Sequence, residues 1–190
     1  ALYGAIFIVC IVLVANNAIP SVNHVKFSNG KADLSNELNN LSEIIGIEGE
    51  WECYPNVLLT PEDFKKGHVT YGNYQNYPHY WKDDKNFDNA KGCATYRVHV
   101  KVPEDFNDIG IYSRSQYSSY RIYINDEEVM NVGHVSKNLS NFRLNYRPEA
   151  EYINNLKNTG TNYGKEISII VQMQNYYHIS AGLNNSILLG

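Results

Sequence analysis

Cys93–Val102 reads CATYRVHVKV: Tyr96, Val98 and Val100 alternate with Thr95, Arg97, His99 and Lys101. A period of two marks a strand with one buried face, because successive side chains point to opposite sides of the backbone. The pattern returns at Tyr117–Ile124 (YSSYRIYI), where Tyr120, Ile122 and Ile124 oppose Ser119, Arg121 and Tyr123. It returns again at Glu166–Met173 (EISIIVQM), which aligns Ile167, Ile169, Val171 and Met173. Such one-sided strands bury their apolar faces by stacking as two sheets, so the chain is expected to be an all-β sandwich. Asn125-Asp126, between Ile124 and the strand around Val129, suits a tight hairpin, since both residue types tolerate positive φ.

Helix is sparse in this pattern. Ser35–Ile44 carries Leu38 and Leu41 at i, i+3, and Thr60-Pro61-Glu62-Asp63 reads as a cap followed by proline at the first helical position. Gly67–Gly92 and Asn154–Gly164 are expected to be long loops. The first is aromatic as well as polar, with Tyr71, Tyr74, Tyr77, Tyr80 and Trp81, and long loops on a rigid sandwich commonly carry binding groups.

The 190 residues suit one domain, or one domain with an appendage, and 43% hydrophobic against 19% charged residues argues against disorder and a polytopic membrane protein. With a net charge of −4 the basic footprint of a nucleic-acid binder is missing. The 16 Tyr and 25 Asn, with Lys outnumbering Arg 11 to 5, match the output of AT-rich codons, so part of that excess is compositional. Ala1–Ala15 (ALYGAIFIVCIVLVA) is an uncharged apolar run, shorter than the roughly 20 residues that span a bilayer. Residues 1–19 are expected to be a signal peptide or membrane anchor, and residues 20–190 an extracytoplasmic sandwich domain. Cys10 lies in the leader, leaving Cys53 and Cys93 either to form a disulfide or, for Cys53, to fill a core position as a small hydrophobe.

The chain contains no GxSxG, HExxH, Walker or GxGxxG signature. Paired acids can hydrolyse glycosides, but Glu50 with Glu52 and Asp83 with Asp84 read as solvated surface pairs, and no catalytic residue is expected. No cofactor or metal is expected either, since His99, His134 and His178 are scattered and Asp83, Asp84 and Asp88 sit in a charged loop. Carbohydrate recognition needs an aromatic platform with planar polar side chains beside it. Trp81, Tyr80, Tyr177 and His178 are the platform candidates, together with Tyr77 and Tyr176, and Arg114, Arg121 and Asn175 the hydrogen-bonding ones. Trp81 has a second reading, as an anchor pinning its loop to the core, and one of Tyr176 and Tyr177 as a ring packed under the sandwich. Arg97 and Arg121 share a phase on their strands; they either grip one anion together, if the strands are neighbours, or pair with Glu50 and Glu52.

Several phrases together resemble, in order, the extracellular sensor domain of bacterial seven-transmembrane receptors with diverse intracellular signalling modules. IEGEWECYPNVLLTPEDF (Ile47–Phe64), GCATYR (Gly92–Arg97), YSSYRIYIND (Tyr117–Asp126), Tyr146-Arg147-Pro148 and QNYYHISAGLNNSILLG (Gln174–Gly190) match that family's phrases. Cys53, Asp126 and Ala181 depart from its usual Phe, Gly and Gly. The resemblance implies a galactose-binding-domain-like jelly-roll sandwich, held at the cell membrane on the extracytoplasmic side and joined to membrane helices and a signalling output. The expected function is therefore non-catalytic sensing of a small polar ligand, sugar first and carboxylate second. The alternatives are a carbohydrate-binding module of a secreted glycosidase, and an interaction domain that contacts a partner protein or a second copy of itself as a homodimer.

Overall fold

In the computed structural model, residues 22–38, 44–67, 69, 72–156 and 165–190 are described. The expected leader, residues 1–19, lies outside them, as do residues 39–43 of the Ser35–Ile44 helix candidate, whose described residues are a turn at Ser35–Leu38 and a strand residue at Ile44. The strands are β1 (Val22–Phe27), β2 (Lys31–Asp33), β3 (Ile44–Pro55), β4 (Asn73–Tyr77), β5 (Gly92–Val102), β6 (Ile109–Ser113), β7 (Ser119–Ile124), β8 (Glu127–Val132), β9 (Glu149–Ile153), β10 (Lys165–Asn175) and β11 (Ile187–Leu189). One short helix, α1 (Pro61–Lys65), begins as its sequence predicts: Thr60 caps it in a reciprocal box with Asp63, and Pro61 opens it.

The strands run β8-β7-β10-β5-β3-β11-β6-β9, folded over into a jelly-roll β-sandwich, and the expected all-β architecture is what the chain adopts. β3 is the seam. Its first half pairs with β1 and β11, its second half with β4 and β5. The handover falls at Gly49, whose φ of +131° and contact with β1 leave no room for a side chain: a Cβ there would meet the Phe27 carbonyl oxygen at 2.3 Å.

The alternating faces behave as read. Tyr96, Val98, Val100, Tyr120, Ile122, Ile167 and Ile169 are all fully buried. Each such aliphatic side chain contributes about 1.5–3 kcal/mol through removal from water. The opposite face departs from simple alternation, for Thr95, Tyr123, Ile170 and Gln172 are buried too. For Thr95 and Gln172 the reason is the Val57–Leu59 segment: Thr95 Oγ1 donates to Val57 O (2.9 Å) and accepts from Leu59 N (2.8 Å), while Gln172 Nε2 donates to Leu59 O (2.8 Å).

Asn125-Asp126 forms the expected hairpin between β7 and β8, with Asn125 at φ +55° and its backbone N–H on Ser168 O. Within the Gly67–Gly92 loop, the described residues 72–92 are more regular than the composition suggests. They hold β4 and a 3₁₀ turn at Trp81–Asp83, because Tyr77 and Trp81 are core residues. Both described cysteines are free. Cys53 pairs across the ladder with Tyr96 on the core face, whereas Cys93 stands in phase with Thr95 and Arg97 on the other face, so no disulfide joins them.

Candidate functional site

One end of the sandwich is assembled from three segments: 113–118 after β6, 133–146 after β8, and 175–186 between β10 and β11. Buried side chains tie them together. Gln116 Nε2 donates to Asn185 O (2.9 Å) and its Oε1 accepts from the N–H groups of Asn184 and Asn185 (both 3.0 Å), while Ser118 Oγ accepts from Gly182 N (3.2 Å). Ser119 Oγ donates to Arg143 O (2.8 Å) and accepts from Asn145 N (3.0 Å). Gly133 permits this approach, since a Cβ there would sit 2.3 Å from Ser119 Oγ.

Asn175, expected to bind ligand, is instead the pin that turns the chain out of β10. It is fully buried, donates to Ala90 O (2.7 Å) and His178 O (2.9 Å), and accepts from the N–H groups of Tyr177 (3.2 Å) and His178 (3.0 Å). Those bonds use both of its amide hydrogens and leave nothing directed at solvent. Their product is the outward presentation of the next two residues.

Pinned on both sides, Tyr117 adopts φ +50°, a left-handed conformation uncommon for an aromatic residue. Its ring, 37% exposed, stacks on His178 at 4.5 Å and 18°, and Tyr146, 43% exposed, lies 5.9 Å from both. Tyr177, 76% exposed, lies parallel to buried Phe142 at 6.1 Å, and Phe142 meets Tyr176 edge-on at 5.4 Å. Tyr176 in turn lines a cleft of about 450 Å³ bounded by Val57, Leu59, Lys137 and Leu139 and floored by Cys93 and Gln174. Gln174 is locked, donating to Ser136 O (3.0 Å) and accepting from Ser136 N (2.8 Å). Burial pushes the Cys93 thiol above its ordinary pKa, so it stands in the cleft as a neutral group. The result is a rigid, ring-faced surface beside a groove, half apolar and half wet.

Of the expected site residues, Tyr177 and His178 therefore meet in one place, with Asn175 beneath them. Trp81 does not join them: it is fully buried, stacked on Phe87 at 4.2 Å and donating from Nε1 to Tyr96 Oη (2.6 Å), so the anchor reading is the one realised. Tyr80 is 42% exposed on the neighbouring loop, under the Lys82 ammonium at 5.4 Å. Arg121 is taken up by Glu128 (3.1 Å) and Tyr123 Oη (3.3 Å), and Arg97 by Glu52 (2.7 Å). β10 separates their strands, so the two guanidiniums do not converge on one anion. Arg114 is exposed and borders a separate, smaller cleft.

Three of the four acids in the Glu50/Glu52 and Asp83/Asp84 pairs have local partners. Glu52 accepts from Tyr54 Oη (2.7 Å) as well as Arg97, Glu50 accepts from Asn29 N (3.1 Å), and Asp84 holds His79 (3.2 Å). His99 sits on Glu166 (3.0 Å), away from His178. Among the described residues no three metal-ligating side chains gather, and no helix is long and apolar enough to cross a membrane. Tyr117 and Tyr146 are site residues that the sequence does not single out as ligand groups. The available signal is their place in the YSSYRIYIND and Tyr-Arg-Pro phrases.

No protein-family model and no curated protein matches the chain. Solved structures do. The beta-glucuronidase of Ruminococcus gnavus superposes with a TM-score of 0.51 at 14% identity, over 77% of this chain and 28% of its own. The same enzyme in complex with D-glucuronic acid gives 0.51 at 14%, over 77% and 29%. A GH2 beta-galacturonidase from Eisenbergiella tayi gives 0.48 at 10%, over 74% and 22%. The chain thus spans under a third of the length of these enzymes, and at such identity the likeness to the glucuronidase concerns the β-sandwich fold alone.

Proposed function

We propose that the chain is a non-catalytic, extracytoplasmic ligand-sensing domain of a bacterial membrane signalling receptor, and that its ligand is a carbohydrate. The observation that carries the ligand class is the Tyr117–His178–Tyr146 cluster, in which Tyr117 stacks on His178, Tyr146 lies tilted beside them, and both tyrosines are partly exposed on a hydrogen-bonded base. These rings stand outside the buried core, each partly open to water, and such rings fit the apolar face of a sugar. The carbohydrate-acting enzyme that shares the sandwich supports the same class. The receptor role rests on the ordered phrases from Ile47 to Gly190. Sensing would then be a population shift: ligand favours one arrangement of the domain on its membrane helices, and the bias is read inside the cell.

A thermal-shift screen against neutral and acidic sugars tests the ligand class. A true ligand at 100 times its dissociation constant adds about 2.7 kcal/mol of stability. A flat response across the panel removes the carbohydrate reading and favours an interaction domain. The glycosidase likeness supports a second reading, a carbohydrate-binding module of a secreted enzyme. The genomic sequence downstream of the Gly190 codon separates the two: several apolar spans for a receptor, a catalytic domain for the module.

A further inference from the structure

Among the described residues, four of the arginines have committed guanidiniums. Arg97 meets Glu52 (2.7 Å), Arg121 meets Glu128 (3.1 Å), Arg147 meets Glu149 (2.7 Å), and Arg143 donates to Ser140 O (2.8 Å) and Phe142 O (2.7 Å). Arg114 alone has no such partner, and it stands on the rim of a cleft of about 170 Å³. The same cleft is lined by Asn184, Asn185 and Ser186, by His24, and by the apolar Val22, Pro78 and Leu188.

Apart from Arg114, the polar lining residues are already paired within the protein. Gln116 clamps the backbone of Asn184 and Asn185, and Asn185 Nδ2 donates to Ser115 O (2.7 Å). Ser186 Oγ donates to Glu48 Oε1 (2.5 Å), and His24 Nδ1 lies 2.8 Å from the same oxygen. Glu48 is thereby occupied, while Ser186 Oγ keeps lone pairs, and His24 its Nε2, for a hydroxyl. The free guanidinium is the group whose fork geometry matches a carboxylate. Pro78 and Leu188 supply an apolar flank for a ring. The volume lies below the roughly 300–1,000 Å³ of drug-sized sites, which restricts the occupant to one small ring or a short acid.

We propose that this cleft is a second ligand site, specific for a monosaccharide acid, with Arg114 taking the carboxylate and Ser186 and His24 the ring hydroxyls. It deepens the carbohydrate reading but is separate from the ring cluster, although the 113–118 segment carries both Arg114 and Tyr117. The test is calorimetric titration of the chain with D-glucuronate, D-glucose and acetate, which separate the carboxylate from the ring. Glucuronate binds at least tenfold more tightly than either of the others. Arg114→Gln removes that preference, and Arg114→Lys, which keeps charge but loses the fork, retains only part of it. Equal binding of glucose or acetate, or an unchanged glucuronate affinity in Arg114→Gln, overturns the proposal. Loss of the glucuronate preference in Arg114→Gln with neutral-sugar binding unchanged locates the effect in this cleft, so failure of the ring cluster to bind neutral sugar is distinguishable from failure here. Arg114 is exposed, and an unchanged melting temperature for its variants establishes that a lost preference is not unfolding.

Discussion

The same residue types meet opposite fates in two regions of this molecule. Between the sheets, Trp51, Tyr77, Trp81, Phe87 and Tyr96 are packed out of water, with Trp81 bonded to Tyr96 and Tyr77 edge-on to Tyr96 at 4.8 Å. At the loop end, Tyr117 stacks on a half-buried His178, Tyr177 lies parallel to a buried Phe142, and Tyr146 leans on the first pair, with the three tyrosines reaching solvent. The interior rings build the domain. The outer rings are held up by polar side chains, Gln116, Ser119 and Asn175, whose burial serves to position them.

The contrast breaks most visibly at Trp81. Trp81→Ala empties a fully enclosed volume and strands the Tyr96 hydroxyl, and denaturant unfolding is expected to show a loss of about 3–5 kcal/mol. A loss under about 1 kcal/mol would mean that the loop is not anchored as described. Asn175→Ala sharpens the comparison from the other side. It orphans the bonds that turn the chain toward Tyr177 and His178, so stability falls by about 1–3 kcal/mol and ligand binding at the ring cluster falls with it.

A smaller effect concerns the α1 cap. Thr60's backbone N–H and then its hydroxyl hold the Asp63 carboxyl below its ordinary 3.8. The unfolded chain therefore takes up the proton first, so the cap's contribution is present above that value and fades as pH falls through the lower folded pKa. On this exposed helix the amount is a few tenths of a kcal/mol. Asp63→Asn should flatten the stability profile across that acid window, and an unaltered slope would mean that the cap contributes nothing.

The parts legible in the sequence are those governed by local periodicity. The core faces of β5, β7 and β10, the Asn125-Asp126 hairpin and the Thr60 cap each depend on neighbours within a few residues. Trp81 is not decided locally, because its burial depends on backbone bonds between the 79–81 stretch and the distant Ala181 and Leu183 carbonyls. Arg121 likewise needs the partner strand, since Glu128 comes within reach only once β7 and β8 pair. The ring cluster is half visible. His178 and Tyr177 stand in an aromatic phrase, but Tyr117 and Tyr146 join them only through tertiary contacts among segments far apart in the chain.

The most direct measurement is calorimetric titration of the chain and of its Tyr117→Ala/Tyr146→Ala variant with a panel of neutral di- to tetrasaccharides. Both rings are only partly exposed, so affinities are compared at a temperature where the melting curves show parent and variant to be equally folded. A carbohydrate platform predicts that at least one saccharide binds the parent and that the variant loses tenfold or more, about 1.4 kcal/mol. Saccharide binding of equal strength in both proteins, or none in either, would contradict it.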